Sequence, residues 1–133
     1  MKIIADTNVL ARAVLQDDAA QCQAARKALT DASLIAVSLP SLCELVWILR
    51  QGAKLPKEDV AATIRALLET SNVVLNRPAV EAGLAFFEAG GDFADGIIAH
   101  EGAWLGGETF VSFDKKAVSL LKKRGEKTRL LHS

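Results

Sequence analysis

Four acids stand where a carboxylate can do chemistry: Asp6, Glu44, Asp95 and Asp114, with Asp92 three residues before Asp95. Asp6 directly follows the apolar run Ile3-Ile4-Ala5, and Asp114 follows Phe110-Val111-Ser112-Phe113. Glu44 interrupts the apolar stretch from Leu39 to Leu49, and Asp95 falls in the first turn of a helix expected to begin near Phe93. Each acid also has a purely structural reading. Asp6, Asp92 and Asp114 can cap helices, because Asp accepts hydrogen bonds from the free N–H groups of a first turn. Ser41-x-x-Glu44 matches a capping box, and Asp92-x-x-Asp95 resembles one. Caps explain acids that begin helices, but not a glutamate inside an apolar helix. Two carboxylates about 6 Å apart repel by roughly 3 kcal/mol at an effective dielectric of about 20. Four held together therefore need protons, a cation or an arginine. Ligation by oxygen alone points to Mg²⁺ or Mn²⁺, since zinc sites recruit His or Cys. The only histidines are His100 and His132, a turn and a half past Asp95 and one residue from the end. That placement argues against a paired-histidine acid–base mechanism.

The elements that must position these acids follow from the hydrophobic pattern. Lys2–Ala5 reads as a buried strand, followed by a helix through Leu10 and Val14. Asp18 caps a second helix carrying Cys22, Ala25 and Leu29, and Ser33–Val37 is a second strand. A strongly apolar helix runs from about Leu39 to Arg50 and stops at Gly52, with apolar residues around most of its circumference. Such a helix needs cover beyond one stripe, either from another chain or from the rest of its own domain. Pro56 opens the next helix, Asn72–Leu75 is a third strand, and Pro78 opens a helix ended by Gly90-Gly91. A helix with Ile97 and Ile98, a strand Thr109–Ser112, a basic helix and a last strand near Arg129–Leu131 complete the chain. Strands alternating with helices predict an α/β fold: one parallel central sheet of four to five strands, flanked by helices on both faces. In such a sheet, residues just past the strand ends share the rim where ligands bind.

Composition bounds the rest. The chain has 133 residues, half of them hydrophobic, with no linker long enough to divide it, so residues 1–133 are expected to form a single domain. Formal net charge is zero, but its distribution is uneven: from Lys115 onward there are seven cations and one acid, Glu126. That polarity suits either a surface that meets phosphate or a solvated amphipathic helix. Cys22 and Cys43 lack metal-ligand or redox spacing and read as small apolar residues in a reducing compartment. The apolar stretch after Lys2 ends at Asp6, and Ala32–Cys43, the longest uncharged run, is too short to span a bilayer. A cytoplasmic protein with no membrane partner is expected.

In order and at matching spacing, four segments resemble PIN-domain ribonucleases, particularly VapC toxins. They are Ile3-Ile4-Ala5-Asp6-Thr7-Asn8-Val9-Leu10, Leu42-Cys43-Glu44-Leu45, Asp92-Phe93-Ala94-Asp95-Gly96-Ile97-Ile98-Ala99 and Phe110-Val111-Ser112-Phe113-Asp114. Gly96 stands where the family commonly has Ala. The resemblance implies a PIN-like fold and a Mg²⁺-dependent endoribonuclease, with Mn²⁺ as a substitute. Asp6, Glu44, Asp95 and Asp114 would be its catalytic acids, and Asp6, Asp95 and Asp114 would hold the metal. Asp92, Asn8 and Ser112 would support ligands or orient substrate. RNA would be the substrate, with a cognate VapB-type antitoxin and a homodimer as partners. The alternative is a catalytically inactive PIN-like domain that binds RNA or protein. Two other domains built on a strand-end Asp fit less well. A haloacid-dehalogenase phosphatase needs an acid where Asn8 stands, and a response-regulator receiver needs a mid-chain phosphoacceptor that residues 46–70 do not offer.

Overall fold

A computed structural model of the chain describes residues 1–132. Its elements run in the predicted alternation: β1 (Lys2–Ile4), α1 (Thr7–Leu15), α2 (Ala19–Asp31), β2 (Leu34–Ala36), α3 (Leu39–Trp47), α4 (Lys57–Glu69), β3 (Val73–Val74), α5 (Arg77–Glu88), α6 (Phe93–Trp104), β4 (Thr109–Ser112), α7 (Lys115–Lys123) and β5 (Lys127–Leu130). The chain is α/β with parallel pairing throughout. Among the described residues, no helix is long and apolar enough to cross a membrane. Neither cysteine is in a disulfide among the described residues; Cys22 is buried and Cys43 half-buried.

One expectation is corrected. In place of one central sheet of four to five strands, the strands pair as two sheets, β1-β2-β3 and β4-β5. Strand–helix alternation predicts parallel crossovers between successive strands, but it does not dictate which strands far apart in sequence become neighbours. Here each ladder joins consecutive strands. Lys2 to Ile4 pair with Leu34 to Ala36, Ile35 and Ala36 pair with Val73 and Val74, and Thr109 to Ser112 pair with Lys127 to Leu130. The last strand therefore starts earlier than the pattern suggested, because Lys127 and Thr128 complete the ladder.

The chain divides into two compact units at Arg77/Pro78. In the first unit, Ile35, Leu42, Leu45, Leu49, Val60 and Ile64 are buried. The apolar helix expected to reach Arg50 ends at Trp47 and gives way to a π-helical turn, Ile48–Gly52. There Ala53 N–H donates to the Ile48 carbonyl (2.8 Å). Only one stripe of α3 is buried. Pro40, Glu44 and Trp47 share its exposed side, so the helix is amphipathic rather than apolar all round.

In the second unit, Phe86, Ala117 and Leu121 form a core against which Ala99, Phe110 and Leu120 pack. Helices α5 and α6 cross where each carries a glycine. A Cβ on Gly96 would lie 2.7 Å from Phe86 Cβ and 3.0 Å from Gly83 Cα. A Cβ on Gly83 would lie 2.9 Å from Ile97 Cγ1 and from Phe93 Cε1. The missing side chains let the backbones approach, which fixes where Asp92 and Asp95 emerge. Helix α5 then ends in a left-handed turn at Gly90 (φ 105°), with Gly91 N–H reaching back to the Phe86 carbonyl (2.9 Å).

Candidate functional site

Local geometry places each predicted acid by a small set of bonds. In the first unit, β1 and β2 run parallel with Ile4 opposite Ala36, so Asp6 and Ser38 lie just past adjacent strand ends. Asp6 caps α1, its Oδ1 accepting from Thr7 N–H (2.8 Å), and its side is exposed. Ser38 caps α3 by accepting from Ser41 N–H (3.3 Å), and its hydroxyl lies 3.1 Å from that of Ser41. The capping box proposed for Ser41 and Glu44 is thus not formed: Ser41 lies inside the helix, and the cap is three residues earlier. The signal was present in Ser38-Leu39-Pro40, because proline favours a first helical turn behind a capping serine. Glu44 projects from the exposed side of α3, so packing demands nothing of it there. Asn8 is exposed on the first turn of α1 and lines shallow hollows with Arg12.

In the second unit three acids come into electrostatic range. Asp92 caps α6, accepting weakly from Ala94 N–H (3.4 Å), and Asp95 is the third residue of that helix. Asp114 caps α7 more firmly, with Oδ1 accepting from Lys116 N–H (2.9 Å) and Ala117 N–H (3.1 Å). The backbone leading into it is set by Ser112, whose hydroxyl accepts from Asp114 N–H (2.9 Å). Asp95 is half-buried, and its carboxyl is held above the ordinary aspartate value of 3.8. Desolvation is the largest cause, followed by the charges of Asp92 and Asp114. His100, further along α6, buries Nε2 without a hydrogen-bond partner among the described residues.

This donor set is chemically suited to a hard cation. It consists of carboxylate oxygens, and burial followed by the charges of Asp92 and Asp114 raises the Asp95 carboxyl above its ordinary value, a shift that a bound cation would oppose. The side chains do not converge as they stand: among the described residues, no three His, Cys, Asp or Glu come together closely enough to hold a metal ion. What the structure brings together is therefore Asp92, Asp95 and Asp114, as a crowded anionic corner. Asp6 and Glu44 belong to the first unit, and both are exposed there.

Compared with models of known protein families, residues 3–123 match the one described as PIN domain. No match to a curated protein was found.

Proposed function

The chain belongs to the PIN-domain family, whose members are generally metal-dependent nucleases, and on that premise we propose that it is an endoribonuclease, the VapC-type toxin of a type II toxin–antitoxin pair. The observation that carries the reading is the crowding of Asp95 by Asp92 and Asp114, at a helix start and a strand end that both lie within the matched segment. A half-buried carboxyl facing two like charges is costly to keep in a domain with no use for a cation.

Asp6, Asp95 and Asp114 are the residues assigned to hold Mg²⁺, or Mn²⁺ in its place, with Glu44 as the fourth catalytic acid. When bound, the metal supplies Lewis acidity, activating a water and offsetting charge at the attacked phosphodiester. The chain's own residues supply orientation. Asp114 is fixed by two backbone donors on Oδ1, which leaves Oδ2 without a hydrogen bond among the described residues. Ser112 holds the turn before it, and Asp92 keeps negative charge beside Asp95. Asn8 is assigned to orienting substrate. In this reading the protein works as a single domain in the cytoplasm, as a homodimer. An antitoxin silences it by presenting an arginine, whose fixed charge and paired donors can replace the cation among the acids.

Purified protein incubated with RNA, with Mg²⁺, with Mn²⁺ and with EDTA, tests the reading. Cleavage that requires metal, and that is lost in Asp6→Asn, Glu44→Gln, Asp95→Asn and Asp114→Asn, is the expected result. RNA retarded on a gel without being shortened under any metal condition would instead identify a catalytically inactive binding domain.

A further inference from the structure

Helix α7 has the sequence Lys-Lys-Ala-Val-Ser-Leu-Leu-Lys-Lys, with four cations and no acid. Ala117, Val118 and Leu121 face the core, which leaves Lys115, Lys116, Ser119, Lys122 and Lys123 exposed on the opposite side. An exposed helical face commonly intersperses Glu with Lys at spacings of three and four. Here the face is of one sign. None of the four lysines forms an ion pair among the described residues. In the first unit several cations are engaged: Arg12 pairs with Asp17, Lys27 with Asp31, and Arg26 and Arg50 donate to the carbonyls of Ala13 and Leu55, whereas Lys2 and Lys54 form no ion pair among the described residues.

The placement also goes against local preference. Lys115 and Lys116 are the first two residues of α7, where the helix dipole is positive and acids are favoured. Their charges repel that end, and only the capping Asp114 offsets them. Lys122 and Lys123, seven residues on and about 10 Å along the axis, are favourably placed at the carbonyl end. A local rule broken at one end of a face that is uniformly cationic, next to an acid assigned to catalysis, indicates an anion that completes it.

We propose that the outward face of α7, formed by Lys115, Lys116, Lys122 and Lys123, carries the phosphates of a single-stranded RNA whose cleaved bond lies at Asp114. The inference rests on the nuclease reading and deepens it, by naming the surface that tracks the substrate's backbone. The four ammonium groups are point charges on flexible stems, so they hold phosphate without reading bases. This face therefore contributes affinity and register, while sequence preference arises elsewhere.

The test is binding of a fluorescein-labelled single-stranded RNA of mixed sequence in EDTA, followed by anisotropy across a salt series. Each lysine in contact with phosphate contributes about 0.7 to the slope of log affinity against log salt. Replacing all four by Gln should lower the slope by about 3, so that the variant loses about fifty-fold less affinity than the wild type between 50 and 200 mM salt. The milder pair Lys122→Gln/Lys123→Gln should lower it by about half as much, and Lys→Arg at all four should leave it unchanged. A slope unaltered in both Gln variants would overturn the proposal. So would an equal loss on replacing Lys2 and Lys54, two cations of the first unit, by Gln. Capture of a polyglutamate peptide with the same lysine dependence, but not of RNA, would overturn it in favour of an acidic protein. Cleavage is scored separately with Mg²⁺. Absent cleavage with lysine-dependent binding sinks the nuclease reading, and with it the cleaved bond at Asp114, but keeps the α7 surface as an RNA-binding face, whereas cleavage with lysine-independent binding sinks the α7 surface alone.

Discussion

Asp114 performs a structural task that the sequence predicts and is assigned a chemical one, and the two can be separated. As a cap it accepts from Lys116 and Ala117, a contribution of about 1 kcal/mol that Asn retains and Ala does not. Asp114→Asn should therefore melt within a degree or two of the wild type while losing metal-dependent cleavage, whereas Asp114→Ala should lose both stability and cleavage. An active Asn variant would reduce Asp114 to a cap. Asp95 allows a different separation, through pH. Its carboxyl is raised by desolvation and then by Asp92 and Asp114, so the unfolded chain releases this proton first. Below 3.8 both states are protonated and there is no penalty. Stability is lost as pH climbs through 3.8 and then through the higher folded value. In EDTA, Asp95→Asn should thus lose less stability than the wild type between acid and neutral pH, and Mg²⁺ should stabilise only the wild type. Parallel thermal melts check both points. Identical pH profiles would mean that Asp95 is not under the strain its neighbours impose. Of the four acids, three were legible as caps or first-turn residues because capping depends on residues close in sequence. The exposure of Glu44 was not, because it depends on which side of α3 the rest of the unit buries.

At the scale of elements, local signals gave most of the boundaries. Gly90-Gly91 ends α5 as expected, because its backbone must turn left-handed there. The end of α3 was misjudged by three residues. Ile48, Leu49 and Arg50 suit a helix by propensity, and the π-helical turn they adopt is a matter of hydrogen-bond registry, which side-chain periodicity does not encode. The glycine pair at the α5–α6 crossing was legible only in part, with Gly96 visible as a departure from the family's usual Ala. Its reason is spatial: the neighbours that forbid a side chain are Phe86 and Gly83, ten and thirteen residues earlier. Gly96→Ala should accordingly destabilise the chain by about 1–3 kcal/mol through overpacking against Phe86 and the backbone of α5. Gly102→Ala, on the same helix with nothing within 4 Å of the added carbon, should be neutral or stabilising by up to about 1 kcal/mol. Denaturant titration of the two variants measures the contrast. If Gly96→Ala proved as harmless as Gly102→Ala, α5 and α6 would not cross as closely as described.

For the molecule as a whole, the alternation of strands and helices correctly indicated parallel α/β organisation, while the division of strands between two sheets lay beyond it. Pairing across long sequence separations is decided by which edges meet, and a strand of two to four residues carries too few side chains to specify a neighbour. The same limit applies to assembly. The apolar surplus on α3 predicted from sequence shrinks in the structure to Trp47, which remains 65% exposed next to Glu44 on the outward side. A large aromatic ring left in water on a helix whose Leu42, Leu45 and Val46 are buried is consistent with the proposed homodimer. If Trp47 anchors that contact, Trp47→Ala should raise the dimer dissociation constant at least about tenfold, since truncating an interface anchor costs on the order of 2 kcal/mol. Fold stability should change little, because an exposed ring contributes little to the chain's own core. Light scattering across a concentration series, paired with thermal melts at fixed concentration, distinguishes assembly from folding. A wild-type chain that stays monomeric at micromolar concentration, or a Trp47→Ala variant that dimerises as tightly as its parent, would remove α3 as the contact. The exposed rings and chains of Trp104 and Leu105 at the end of α6 would then be the next surface to substitute.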